Sequence, residues 1–349
     1  MSTSWTEFLL QHGALIDAAL PDQIHFRTPR EETALATDST LLVPLTHLGL
    51  IRATGEDVVT FLHNMGSNDI KKLATDRAQH NSLNSPKGRM LANFVIWHAT
   101  GGYHLMLSAD LHAAILKKLR MYVLRAKVKL DDAGTDRVLL GLAGPQASAA
   151  LVASGLNAPA AILNVAQGSD ETDSHVIHLD NNRYVLDCNV ETAIKLWPRL
   201  LAAGIQPAGT TAWRWLDIQA GLPLVTAQIQ DEFVAQMLNF ELLGGVNFQK
   251  GCYPGQEIVA RTQYLGKLKK RMFRAHVAGI DAVQVGMDVY APEFGVQSCG
   301  KLVSAVESPE GGFDLLVVMQ ISAFNAGEVH LGIPDGPRLT LGSLPYTVD

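Results

Sequence analysis

The chain has 349 residues, 47% hydrophobic and 18% charged, with 30 Gly and 15 Pro. At about 150 residues per domain this length suggests two or three domains, and the composition excludes collagen-like, low-complexity or wholly disordered chains. With 28 Lys and Arg against 34 Asp and Glu the formal charge is -6, which argues against general affinity for nucleic acid or anionic lipid.

No Lys or Arg precedes Arg27 and no apolar run nears the roughly 18 residues of a membrane span, so the expectation is a cytoplasmic protein without membrane contact. Residues 1–40 open with a helical pattern (Trp5, Phe8, Leu9, Leu15, Ile16, Leu20) and then a polar strand-and-loop passage through Arg30-Glu31-Glu32. Leu48–Gly55 reads as strand and turn, and Asp57–Leu62 opens a helix with an acid in its first turn. His80–Leu83 and Met90–Trp97 flank Asn84-Ser85-Pro86-Lys87-Gly88, a hairpin in which Pro fixes φ and Gly accepts a positive one. A strand at Tyr103–Leu107 leads into an amphipathic helix, Leu111–Leu124, whose surroundings carry Lys117, Lys118, Arg120, Arg125, Lys127 and Lys129. Two strand-to-helix units come next, Val138–Leu142 into Gln146–Val152 and Tyr184–Leu186 into Thr192–Leu201. From Met272 onward short strands at close spacing predict an all-β module, a small barrel. The mixed order is that of an α+β protein.

Chemistry concentrates between Asn239 and Lys267. Gly251 and Gly255 bracket a tight turn, and Pro254 keeps the residue before it out of the α region. Cys252 therefore falls just upstream of a helix, Gln256–Leu265, closed by Gly266, with Glu257 and Arg261 spaced for an i,i+4 ion pair. A thiol near a helix N-terminus and beside Lys250 has its thiolate favoured by dipole and cation together. The bland alternative is a small buried residue, the common fate of a lone cysteine and the one assigned to Cys188 and Cys299. Three cysteines without a C-x-x-C, and histidines without ligand spacing, predict neither a disulfide framework nor a metal site. Residues 250–274 carry seven basic side chains against Glu257 alone, a local +6 that leaves -12 on the other 324 residues. This basic edge is expected to lower the thiol pKa and draw an anionic ligand.

Lys250-Gly251-Cys252-Tyr253-Pro254-Gly255-Gln256-Glu257 resembles the signature K-G-C-[FY]-x-G-Q-E of the YgfZ family, folate-binding proteins that support iron–sulfur cluster assembly or repair and are related to the T-protein of the glycine cleavage system. Gly55-Glu56-Asp57 through Phe61-Leu62-His63, Leu83–Arg89 and Gln219-Ala220-Gly221-Leu222-Pro223 fall in the order that family shows, so the resemblance covers about residues 45–275. It implies a three-lobed T-protein-like folate-binding fold, two mixed α/β lobes with a C-terminal β-barrel: 1–245 for the intertwined lobes, 246–268 for the signature loop and helix, 269–349 for the barrel. It also implies tetrahydrofolate, or a one-carbon derivative, as cofactor. Its contacts would come from Trp213, Asn93, Lys87, Gln219, Tyr253 and Gln256, with Cys252, Lys250, Glu257 and Arg261 carrying thiol chemistry. Of Trp213 and Trp215, the first is expected to face the ligand and the second the core.

Two departures separate the chain from the related aminomethyltransferases. Their strand after the hairpin carries an Asp-Asp pair, one member catalytic, where this chain has Ala92-Asn93; an amide neither takes the proton nor supplies the negative charge. Gln219 and Asp217 stand where relatives often have Glu and Arg. The expectation is an accessory protein rather than an enzyme, with folate and iron–sulfur client or assembly proteins as partners. A folate-dependent aminomethyltransferase is one alternative. An RNA- or tRNA-contacting accessory protein is another, with the basic segment 250–274 and the Leu111–Leu124 helix as its route to nucleic acid. NTPase, dinucleotide, zincin and hydrolase-elbow motifs are absent.

Overall fold

The computed structural model describes residues 3–16, 20, 22–168 and 173–348. Helix and strand contribute about 30% and 31% of the chain, an α+β balance. The chain divides into two compact units: Met1–Phe61 with Lys71–Gln79 and Phe94–Trp213, and Leu62–Ile70 with His80–Asn93 and Arg214–Asp349.

In the first unit a six-stranded sheet runs in the order Val165–Gln167, His175–Asp180, Arg183–Asn189, Arg137–Ala143, Leu41–Pro44, Gln206–Pro207, antiparallel except at the last pair. The strands pack Leu140, Leu142 and Leu186 against Trp5, Leu9, Leu151, Trp197 and Leu200 from helices Thr3–Gln11, Ala147–Ala153 and Val190–Ala202. The N-terminal helix stops at Gln11, short of the expected run, because Gly13 takes φ +88 and the chain turns into the strand pair Leu15–Ile16 and Ile24–His25; residues 17–19 lie outside the described ones. The passage through Arg30-Glu31-Glu32, expected as strand and loop, is the helix Pro29–Leu35. Its N-cap Thr28 and Glu31 form a reciprocal capping box with Pro at the first position.

A five-stranded sheet orders Ala78–Asn84, Met90–Ala99, Gly102–Ser108, Leu48–Thr54 and Lys129–Asp132. The long helix Ala109–Val123, within the first unit, buries Leu111, Ile115, Leu116 and Leu119. In the second unit six strands, His330–Leu331, Asp288–Tyr290, Gly300–Glu307, Phe313–Gln320, Lys270–Val277 and Thr340–Gly342, form a curled half-barrel of antiparallel pairs. Its concave core holds Phe273, Val289, Leu302, Leu315, Val317 and Met319. The module is not all-β, since Ile321–Ala326 is a helix that buries Ala323 and stacks Phe324 on Phe273 with ring centroids 3.8 Å apart.

Candidate functional site

Gly255 is the N-cap of the nine-residue helix Gln256–Tyr264, at φ +77, ψ 3, a left-handed conformation that glycine adopts without penalty. Its carbonyl accepts from Val259 N–H at 3.3 Å. A Cβ here would lie 2.4 Å from Ser85 O and 2.6 Å from Gly88 Cα, and one on Gly88 would lie 2.8 Å from Ile258 Cβ. The hairpin tip and the signature turn thus meet glycine to glycine, at a separation no side chain permits.

Lys250 is 8% exposed, and its ammonium donates to Gly66 O at 2.5 Å and to His63 O, the carbonyls that close the helix Val58–Met65. A cation there also meets the negative end of the helix dipole. The same Nζ stands 4.8 Å from the centroid of the Tyr253 ring, and Gln256 Nε2 donates back to Lys250 O at 3.4 Å. Tyr253 is buried, and desolvation pushes its hydroxyl up to about 12. A polar shelf supports the approach to this turn: Ser67 Oγ donates to Gly245 O at 2.6 Å, Asn68 Nδ2 to Gly244 O at 2.6 Å, and Asn247 N–H to Ser67 O at 3.0 Å. Sequence reasoning missed Ser67 and Asn68; their only signal was the polar run Gly66-Ser67-Asn68-Asp69 directly after a helix.

Within this frame Cys252 is exposed, whereas Cys188 and Cys299 are buried. Burial drives the Cys188 thiol far above its ordinary range, helped by the Asp187 charge, and pushes Cys299 up to about 11. Three sequence expectations need correction. The Lys250 ammonium is committed to backbone carbonyls. No ion pair joins Glu257 to Arg261 among the described residues, both being exposed side chains on the helix surface. Nor is the basic segment one open edge, because Arg271 is buried against Glu241 and Gln236 O, and Arg274 donates to Gln219 Oε1 at 2.7 Å. Gly266 closes the helix as expected, its N–H donating to Arg261 O at 2.8 Å.

Asn93 is buried, and both ends of its amide are used: Nδ2 donates to Pro223 O at 2.7 Å and Oδ1 accepts from Val225 N–H at 2.8 Å. Only a group that donates and accepts at once satisfies that pair of backbone atoms. Gln219 bridges Arg274 and Asp314, and Asp314 also takes the Trp215 indole N–H at 2.7 Å and lies 2.9 Å from His276 Nδ1. Trp213 and Trp215 both lie on the helix Thr210–Ala220 and both are buried. Trp213, 1% exposed, fills the space over Gly141, whose Cβ would fall 2.4 Å from Cζ3, with the Arg183 guanidinium 5.0 Å from its ring centroid. Lys87 is exposed at the hairpin tip, next to buried Asn84 and Ser85, whose Nδ2 and Oγ have no hydrogen-bond partner among the described residues. Among the described residues no cluster of three or more His, Cys, Asp or Glu is placed to hold a metal ion, and no helix is long and apolar enough to cross a membrane.

The architecture is that of the aminomethyltransferase T-proteins. The structure superposes on the glycine cleavage system aminomethyltransferase T from Bartonella henselae with TM-score 0.81 over 99% of this chain and 98% of that one, at 18% identity, and a family model described as the GCVT N-terminal domain matches residues 12–160. The chain is 30% identical over 327 residues to the tRNA-modifying protein YgfZ of Yersinia enterocolitica, covering 92% of this chain and 98% of that protein. It is 29% identical to the YgfZ of Photorhabdus laumondii over 93% and 98% of the two chains. The protein belongs to the YgfZ family.

Proposed function

We propose that this protein is a folate-binding accessory factor that supports iron–sulfur cluster assembly or repair through Cys252, and through it the tRNA modification named in its relatives. The observation that carries the reading is the construction of the signature turn: Lys250, Tyr253, Gly255 and Gln256 are all spent on fixing the backbone, and the side chain left exposed among them is a thiol. A rigidly held, exposed thiol is suited to exchange or transient ligation, while one cysteine holds a cluster only with a second donor from a client or a small thiol. The reading places the protein in the cytoplasm, where such thiols stay reduced.

The residues at the hairpin tip fit a polar, anionic ligand such as folate: Lys87 supplies a cation for a carboxylate, and the orphaned Asn84 Nδ2 and Ser85 Oγ supply donors. Bound there, folate would bring a one-carbon carrier to the neighbourhood of the signature turn. Trp213 enters as rigid backing, since its indole is enclosed, and Gln219 and Asn93 enter through the contacts they already make. The aminomethyltransferase alternative is disfavoured by Asn93, whose amide is bound at both ends and carries no charge.

Titration of tetrahydrofolate into the protein, followed by tryptophan fluorescence, is expected to saturate, with Lys87→Glu at least tenfold weaker; a wild type without saturable change removes the folate assignment. In a deletion strain Cys252→Ser is expected to fail to restore iron–sulfur enzyme activity. Full restoration by that variant takes the thiol out of the function.

A further inference from the structure

The helix Ala109–Val123 and the loop after it hold the most basic acid-free stretch in the first unit. Residues 111–130 contain six Lys and Arg and no Asp or Glu, in a chain whose total charge is -6. Three of the six are committed to the fold: Arg120 donates to Leu130 O at 2.9 and 2.6 Å, Lys127 pairs with Glu56 at 2.7 Å and Lys129 with Asp131 at 2.8 Å. Lys117 and Arg125 have no partner among the described residues, and Lys118 holds its ammonium 5.9 Å from the Tyr122 ring centroid.

The same surface exposes side chains that a folded protein usually covers. Met121 is 69% exposed, Tyr122 50% and Leu124 87%. Leu124 leaves the helix at φ 49, ψ -105, a backbone conformation costly for a side chain with a Cβ. Lys117, Lys118, Met121 and Tyr122 are spaced i, i+1, i+4 and i+5 along the helix, flanking the buried row Leu111, Ile115 and Leu119, and Arg125 follows just past the cap residue Leu124. Cations and an open aromatic ring therefore interleave on one stripe.

We propose that this stripe is a docking surface for RNA, with Lys117, Lys118 and Arg125 on phosphates and Tyr122 stacked on an unpaired base. The inference deepens the proposed accessory role by naming a partner class. Phosphates supply the negative charge this face lacks, and a base has the flat π-face that a half-exposed tyrosine matches. An anionic membrane answers the charge less well in shape. An interfacial helix inserts a continuous apolar face, and the apolar face of this helix is already buried in the fold.

The test is fluorescence anisotropy of the full-length protein with a fluorescein-labelled, unmodified tRNA transcript between 50 and 200 mM KCl. Wild type is expected to bind saturably. K117E/K118E/R125E is expected to lose at least tenfold, with the log–log salt slope smaller by about 2, three contacts at about 0.7 each for single-stranded RNA. Tyr122→Ala is expected to weaken binding roughly tenfold at unchanged slope, and Tyr122→Phe to retain it. Thermal melts establish that the variants fold, and Lys117→Gln substitutes where the triple variant does not. The proposal is overturned by absence of saturable wild-type binding at 50 mM KCl, by equal affinity of wild type and the charge variants, or by vesicles containing phosphatidylserine outcompeting the tRNA. Folate titration of the same variants separates the readings: loss of RNA binding with folate saturation intact concerns this surface, whereas loss of folate saturation in wild type concerns the hairpin tip.

Discussion

The hydrogen-bond polarity of single side chains decides two buried positions. At Asn93 the neighbours are one carbonyl and one N–H, and the amide answers both. Asn93→Asp sets a carboxylate oxygen against Pro223 O in a buried site, which costs about 2–3 kcal/mol at pH 7. The carboxyl can donate only when protonated, so folding raises its pKa and the variant's stability falls as pH rises through that value. Urea melts of variant and wild type should therefore diverge from pH 4 to pH 7. At Asp187 the sign reverses. Burial alone would raise that carboxyl, but the hydrogen bond from His104 at 2.7 Å, the nearby His175 Nδ1 at 3.6 Å, and the charges of His104 and Arg137 hold it well below the usual carboxylate range. Its stabilisation is complete above the unfolded carboxylate value near 3.9 and drains away as pH falls below that. Asp187→Asn, which leaves Arg137 buried without its main partner, should lose about 3–5 kcal/mol at pH 7. The gap to wild type should narrow between about pH 4 and pH 2; a gap independent of pH refutes the assignment.

Elements show what the sequence carried and what it did not. The hairpin around Lys87, the strand-to-helix units and the signature helix are local patterns of turn residues and periodicity, and they stand where expected. The helix Pro29–Leu35 was hidden because its seven residues bury Glu32 and Thr33 rather than an apolar stripe, although its capping box is written in Thr28 and Glu31. Lys250 misled for another reason: adjacency in sequence says nothing of side-chain direction, and its carbonyl partners lie about 185 residues away, at separations of 187 and 184. Asn93 likewise finds its partners 130 and 132 residues on. Gly255 carries the tightest constraint on this element. Gly255→Ala combines a left-handed φ, worth about 1–2 kcal/mol, with a Cβ 2.4 Å from Ser85 O. It should lower stability by more than the backbone term alone. It should also raise amide exchange across 251–258, and unchanged exchange there would refute the glycine-to-glycine lock.

At the scale of the whole molecule, the change of character at Met272 was legible, but the dependence of residues 214–264 on the half-barrel was not. Within the second unit Glu241 is buried against Arg271, Asn239 Nδ2 donates to Met272 O at 2.8 Å, the Trp215 indole reaches Asp314, and Tyr346 OH donates to Gly221 O at 2.8 Å. Each contact joins the segment 214–241 to the half-barrel. Gln236 passes the connection on, because its Nε2 donates to Val259 O of the signature helix at 2.8 Å while its carbonyl accepts from Arg271. A chain ending at residue 268 therefore strips Glu241 of its cation and Trp215 of its acceptor, and leaves the carbonyl of Gln236 without Arg271. The first unit keeps its own core and the Arg137–Asp187–His104 network. Hydrogen exchange on that truncated chain should show protection retained in 137–143 and 183–189 and lost across 235–264. Protection surviving in 256–264 would mean that the half-barrel does not hold the turn bearing Cys252, and that its support comes from Lys250 and the glycine contact alone.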